Sequence, residues 1–116
     1  MKASENKINK ILNKQITKTL AGALCDFKTP EKMLVFLKDF FTQKELELFA
    51  KRLAVAYWLK KKRDHKNIKT NLKVSSSTIS SIKQQINSPG FKLALKTIEA
   101  EEWANQWAEK IKKFVK

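Results

Sequence analysis

Cysteine, histidine, glycine and proline are all scarce in this sequence, and each scarcity closes off a class of function. Cys25 stands alone, so no internal disulfide can form and a cytoplasmic location is expected over a secreted one. His65 is the sole histidine, about forty residues from Cys25, which leaves too few ligands for a metal cluster. Gly22 and Gly90 are the only glycines, so no glycine-rich loop exists to cradle a phosphate. A serine nucleophile would need a base, and His65 beside the serines of 75–81 is too thin a constellation to supply one. The expectation is a protein that is not an enzyme and holds no cofactor or metal. The opening "MKASENKINKIL" lacks the apolar core of a signal peptide, and no apolar run approaches a membrane span.

What is abundant is positive charge. Lys and Arg number 25 against 11 acidic residues, a formal net charge of +14. Such an excess calls for a polyanionic partner, either nucleic acid or an acidic membrane surface. A chain rich in Lys, Asn and Ile, with Arg52 and Arg63 its only arginines, would also arise from AT-rich coding. Clustering favours a partner, because the charge gathers in "KKKRDHKNIK" at 60–69. Hydrophobic residues make up 42% of the 116 and charged residues 31%, the balance of one domain with a solvated surface. With so little Gly and Pro and no useful alternating run, that domain, 1–116, is expected to be all-α.

About six helices can be placed. Ser4 is the expected N-cap of the first, over 4–27, whose Ile8, Ile11, Leu12, Ile16, Leu20, Leu24 and Phe27 recur at helical spacing. Thr29 caps the second, with Pro30 at its first position and Glu31 facing the positive end of the helix dipole. "TQKE" at 42–45 matches a capping box and opens the third, to about Lys62. Its Leu46, Phe49, Ala50, Leu53 and Tyr57 form one stripe, while Leu48, Val55, Trp58 and Leu59 fall off it. A helix apolar on most sides is buried from several directions, which predicts a homodimer. Asp64 caps a short helix carrying Ile68 and Leu72. The chain turns at Lys73 and Val74, and Ser75 or Ser76 caps the next helix. Pro89 and Gly90 are expected to break that helix, and a last one to run over about 91–115.

The stretch "NLKVSSSTISSIKQQI" at 71–86 carries the functional argument. Six of the seven positions from 75 to 81 are Ser or Thr, yet isoleucines hold 79, 82 and 86. Two short helices and a tight turn over about 64–87 describe a helix-turn-helix, whose second helix reads the major groove. Short hydroxyl side chains let a backbone approach base edges and can both donate and accept hydrogen bonds. Ser76, Ser77, Thr78, Ser80, Ser81 and Gln84 are therefore the expected base-facing residues, and Ile79 and Ile82 are structural. Lys62, Arg63, Lys66, Lys69, Lys73 and Lys83 flank them and suit phosphates, which supply affinity and register. Double-stranded DNA is the expected partner. A general binder of RNA or DNA, acting through lysine–phosphate contacts without base reading, is the alternative.

"ALCDFKTPEKMLVFLKDFFTQKELELFAKRLAVAYWL" followed by "IKTNLKVSSSTISSIKQQI" resembles the Trp repressor superfamily, nearest to its small Trp repressor-like bacterial regulators. The resemblance covers roughly 20–98 and is strongest at Thr29-Pro30-Glu31, Lys44-Glu45-Leu46, Arg52-Leu53 and Ser77-Thr78-Ile79-Ser80. It implies an all-α, intertwined homodimer that represses transcription by binding operator DNA through two helix-turn-helix units. Two departures stand out. Lys73 occupies the bend where the family often has Gly. Arg52 matches one of the two arginines that hold tryptophan in the tryptophan-sensing members, but Ser81 stands where the second would be. A carboxylate ligand there loses a bidentate anchor, so a tryptophan corepressor is not expected.

Beyond the resemblance, Ala100, Trp103, Ala104, Trp107, Ile111 and Phe114 form one helical stripe, expected to pack within the protomer or across a dimer. Lysines at 110, 112, 113 and 116 would permit membrane-surface binding, but Glu99, Glu101, Glu102 and Glu109 count against it.

Overall fold

The computed structural model describes residues 7–114, and the side chains of 7–102 and 105. Six helices form: α1 (Lys10–Cys25), α2 (Pro30–Phe40), α3 (Gln43–Lys60), α4 (His65–Leu72), α5 (Ser76–Gln85) and α6 (Pro89–Phe114). No strand occurs among the described residues. The fold is all-α, as composition requires.

Helix boundaries follow local chemistry. α1 starts later than its apolar spacing predicts, at Lys10, where Asn9 Oδ1 accepts from the Ile11 N–H at 2.8 Å. The expected cap Ser4 lies outside the described residues. Thr29 Oγ1 accepts from the Lys32 N–H at 3.2 Å, with Pro30 at the first helical position. At α3 the capping box closes in both directions. The Glu45 N–H donates to Thr42 Oγ1 at 3.1 Å, and the Thr42 N–H donates to Glu45 Oε1 at 2.9 Å.

Hydrogen bonding by Thr42, from its backbone N–H foremost and from its hydroxyl second, holds the Glu45 carboxyl below its ordinary value of 4.5. A carboxyl lowered on folding stabilises the fold above its unfolded value, and that stability is lost as pH falls through the folded value. Thermal stability should therefore carry a Glu45 contribution that fades as pH drops below about 4.5. Glu45→Gln keeps the acceptor for the Thr42 N–H and should flatten that part of the profile. An unchanged acid limb in Glu45→Gln would refute the assignment.

The end of α3 is a Schellman turn. The Lys62 N–H donates to Leu59 O at 3.0 Å and the Arg63 N–H to Trp58 O at 3.1 Å, with Lys62 left-handed at φ 65°. The helix thus stops at Lys60, two residues before its expected end. α6, by contrast, begins earlier than expected. α5 ends at Gln85, before Pro89 as expected, but Pro89 is itself the first residue of α6, where a first-turn N–H has no helical partner to lose. The Ser88 carbonyl accepts from the Lys92 N–H at 3.0 Å to start the ladder.

The chain divides into two compact units, 1–46 and 47–116. In the first, Phe27, Phe36, Phe40 and Phe41 form a run of ring contacts with centroids 5.0–5.2 Å apart. Yet α1 and α2 bury no residue. Ile11 is 71% exposed and Val35 64%, with Leu12, Ile16, Leu34 and Phe40 also open.

The second unit owns the core. Val55 and Ala56 of α3, Ile68 of α4, Ile79 and Ile82 of α5, and Leu95 of α6 cluster and are fully or almost fully buried. In α3 it is the off-stripe Val55 that is buried, while Phe49 and Leu53 of the main stripe are exposed. Tyr57 of the main stripe packs against that core too, and off-stripe Leu48 is exposed, so each face of the helix is partly buried and partly open. Of the stripe along α6, the side chains from Trp103 to Phe114 lie outside the described residues.

Candidate nucleic-acid interface

α4 and α5 are built as expected. Asp64 Oδ1 accepts from the Asn67 N–H at 2.7 Å to start α4. Ser75 is the cap of α5, its Oγ accepting from the Thr78 N–H at 3.1 Å. Between them Lys73 is left-handed, at φ 55° and ψ 50°. The bend keeps the geometry that favours Gly even though a Lys occupies it. A left-handed L-residue costs roughly 1–2 kcal/mol, part of which Gly returns to unfolded-chain entropy. Lys73→Gly should therefore stabilise the fold by up to about 1 kcal/mol, read as a rise in Tm of a few degrees. A fall in Tm would show that the Lys73 stem packs usefully.

Part of the hydroxyl richness is structural. Ser75 Oγ lies 3.0 Å from Ser77 Oγ and 2.8 Å from Thr78 Oγ1, so three hydroxyls form one local network around the cap. Ile79 and Ile82 are buried, fixing the rotation of α5. Helical periodicity then turns Ser77, Ser80, Ser81 and Gln84 outward, and all four are exposed. Ser76 is exposed on one flank. Thr78 lies on the other, half-buried, and lines a cavity of about 340 Å³ with Leu48, Arg52, Ser77, Ser81 and Ile82.

That cavity joins the two positions that the resemblance pairs, Arg52 and Ser81. The Arg52 Nη2 donates to Gln85 Oε1 at 3.3 Å. One guanidinium faces the space, opposite hydroxyls.

The expected phosphate-binding cations fall into two groups. Lys66 and Lys69 are exposed on the sides of α4 away from Ile68, and Lys73 is exposed at the bend. Lys62, Arg63 and Lys83 instead converge on a larger cavity. The Schellman turn sets Arg63 there, with its guanidinium 4.0 Å from the centre of the Trp58 ring. Sequence reasoning overlooked Lys92 and Lys96 of α6, which line the same cavity. Their signal was the i, i+4 spacing of two lysines right after Pro89.

A buried six-residue core that fixes a two-helix unit, a left-handed bend between the helices and a polar outer face define the fold locally. A profile of the family described as Trp repressor protein matches residues 7–99. The chain belongs to this family. Comparison with curated proteins and with solved structures gives no match. The family match reaches further toward the N-terminus than the resemblance at 20–98 and takes in all of α1. Trp repressor proteins are DNA-binding transcription regulators, and the helix-turn-helix here is α4–α5. No described helix is long and apolar enough to cross a membrane.

Proposed function

We propose that this Trp repressor family member is a sequence-specific repressor that binds double-stranded DNA as a homodimer in the cytoplasm. The observation that carries this is the outward face of α5, Ser77, Ser80, Ser81 and Gln84, exposed above buried isoleucines, together with Lys66, Lys69 and Lys73 exposed on the preceding helix and bend. Such a face can enter a major groove and exchange hydrogen bonds with base edges while lysines meet the phosphates. With no arginine on α5, bidentate guanine contacts are absent from this face, and DNA shape supplies part of the preference. Dimerisation is supported by the apolar side chains that α1, α2 and the primary face of α3 leave exposed. The whole chain, 1–116, acts as one DNA-binding domain in that dimer. Each helix-turn-helix then meets the groove about one DNA turn from its twin.

Binding selection from a random duplex library at near-physiological salt tests the proposal. An enriched inverted repeat supports it, and no enriched motif would favour a general nucleic-acid binder. Ser77 and Thr78 also belong to the cap network, so the cleaner variant is Ser80→Ala with Gln84→Ala. It should lower the ratio of specific to non-specific affinity about tenfold or more, with non-specific affinity nearly intact. Equal loss of both affinities would sink direct reading by this face.

Tryptophan is not proposed as a corepressor. Among the described residues Arg52 is the one cation lining the 340 Å³ cavity and Ser81 supplies only a hydroxyl, so a ligand carboxylate meets a guanidinium already bonded to Gln85. Calorimetric titration with tryptophan showing tight, saturable binding would overturn this.

A further inference from the structure

The cavity at the far end of α5 is unlike the reading face. It holds about 740 Å³ and is lined by six basic side chains, Lys60, Lys62, Arg63, Lys83, Lys92 and Lys96, with His65 beside them. No carboxylate among the described residues lines it. Among the described residues only Lys60 of the six has an acidic partner, Glu99 at 3.4 Å. Its apolar lining is Leu59, Ile86 and Leu95. Lys92 lies in the first turn of α6, where no acidic residue offsets the positive helix end.

We infer that this cavity binds a small polyanion of the nucleotide class, with phosphates on the lysines and Arg63 and a ring against Leu59, Ile86 and Leu95. Like charges gathered in a concave site repel one another and raise the local potential, which an entering anion relieves. The volume falls within the roughly 300–1,000 Å³ usual for small-molecule sites. Arg63 is pre-set by its stacking on Trp58, so its planar fork is already ordered for a phosphate. The position argues against the DNA backbone as occupant. Lys83, Ile86 and Asn87 lie at the C-terminal end of α5, whereas a recognition helix meets bases with its N-terminal residues. A duplex backbone also has no free ring to set against three aliphatic side chains, its bases being held in the stack.

The site is separate from the reading face, so each can be tested without the other. Full-length protein is titrated calorimetrically with adenosine triphosphate and with inorganic pyrophosphate at near-physiological salt. Saturable binding of one triphosphate per chain is expected, with pyrophosphate weaker by about tenfold or more, since it leaves the apolar lining unfilled. Lys92→Ala with Lys96→Ala, checked for an unchanged melting profile, should weaken the triphosphate about tenfold or more. Its duplex affinity should stay within about twofold. Unsaturable triphosphate binding, or pyrophosphate binding equally tightly in the unsubstituted protein, overturns the inference. So does a double variant that loses duplex affinity as much as nucleotide affinity, since the cavity would then be a seat for the DNA backbone. Failure to enrich a duplex motif alongside saturable nucleotide binding would instead overturn the reading of α5 and leave this site standing.

Discussion

Replacing Ile16 and Leu20 together by Asp is expected to leave the protein monomeric at micromolar concentration. The same change should weaken binding to its duplex site by about a hundredfold or more, the usual contribution of linked binding units. The two residues lie one turn apart on α1, share a face, and are 52% and 38% exposed. Burying an aliphatic side chain of this size stabilises by about 1.5–3 kcal/mol. In a two-fold interface each substitution acts twice, and the introduced carboxylates would have to be desolvated as well. The core of the second unit contains neither residue, so the helix-turn-helix should still fold and retain weak, salt-sensitive duplex binding. Sedimentation and duplex affinity measured on the same sample decide the matter. A variant that stays dimeric, or an unsubstituted protein that is a clean monomer even on DNA, would remove the case for dimerisation through these faces.

The sequence showed the helices better than it showed which face of each is used. Caps were legible because their chemistry is local: Thr29 with Pro30, Thr42 with Glu45, Asp64 and Ser75 each act within three residues. Pro89 marked the break after α5 but not the start of α6. The same ring that breaks a helix interior is tolerated at a first turn, and only knowledge of where α6 begins separates the two. α3 was harder. Periodicity identifies an apolar stripe but not what it packs against: Phe49 and Leu53 of the main stripe are exposed, while Tyr57 of that stripe and the off-stripe Val55 join the core. An interface with a second chain and a core within one chain leave the same pattern in sequence.

The site divides along the same line. That Ser76, Ser77, Ser80, Ser81 and Gln84 would be exposed followed from the isoleucine spacing, because buried Ile79 and Ile82 with half-buried Ile86 fix the rotation of the helix. Thr78 did not follow so simply. It occupies the flank, where one residue serves both the cap network and the Arg52 cavity. The cations at 62, 63 and 83 could be picked out by charge, but their convergence with Lys92 and Lys96 depends on three helices meeting. Nothing local to any one of them encodes that meeting.

Ile79→Ala should destabilise the protein by about 2–5 kcal/mol, the usual result of truncating a buried isoleucine. Ile79 is 0% exposed and sits in the cluster with Val55, Ala56, Ile68, Ile82 and Leu95. A small domain typically has about 5–15 kcal/mol of stability in total, so this one change can leave much of the population unfolded at physiological temperature. Ser80→Ala, one residue on and exposed, should shift stability by no more than about 0.5 kcal/mol. Ile79→Val should fall between them, at about 0.5–1.5 kcal/mol. Denaturant unfolding at a fixed chain concentration gives the three values, since stability linked to assembly depends on that concentration. Duplex binding separates them differently. For Ile79→Ala the loss of affinity should track the folded fraction and recover on cooling toward the stability maximum, whereas Ser80→Ala should lose sequence preference with its folded fraction unchanged. An Ile79→Ala protein as stable as its parent would mean that α5 is not held by its isoleucines, and the outward placement of Ser77, Ser80, Ser81 and Gln84 would lose its physical basis.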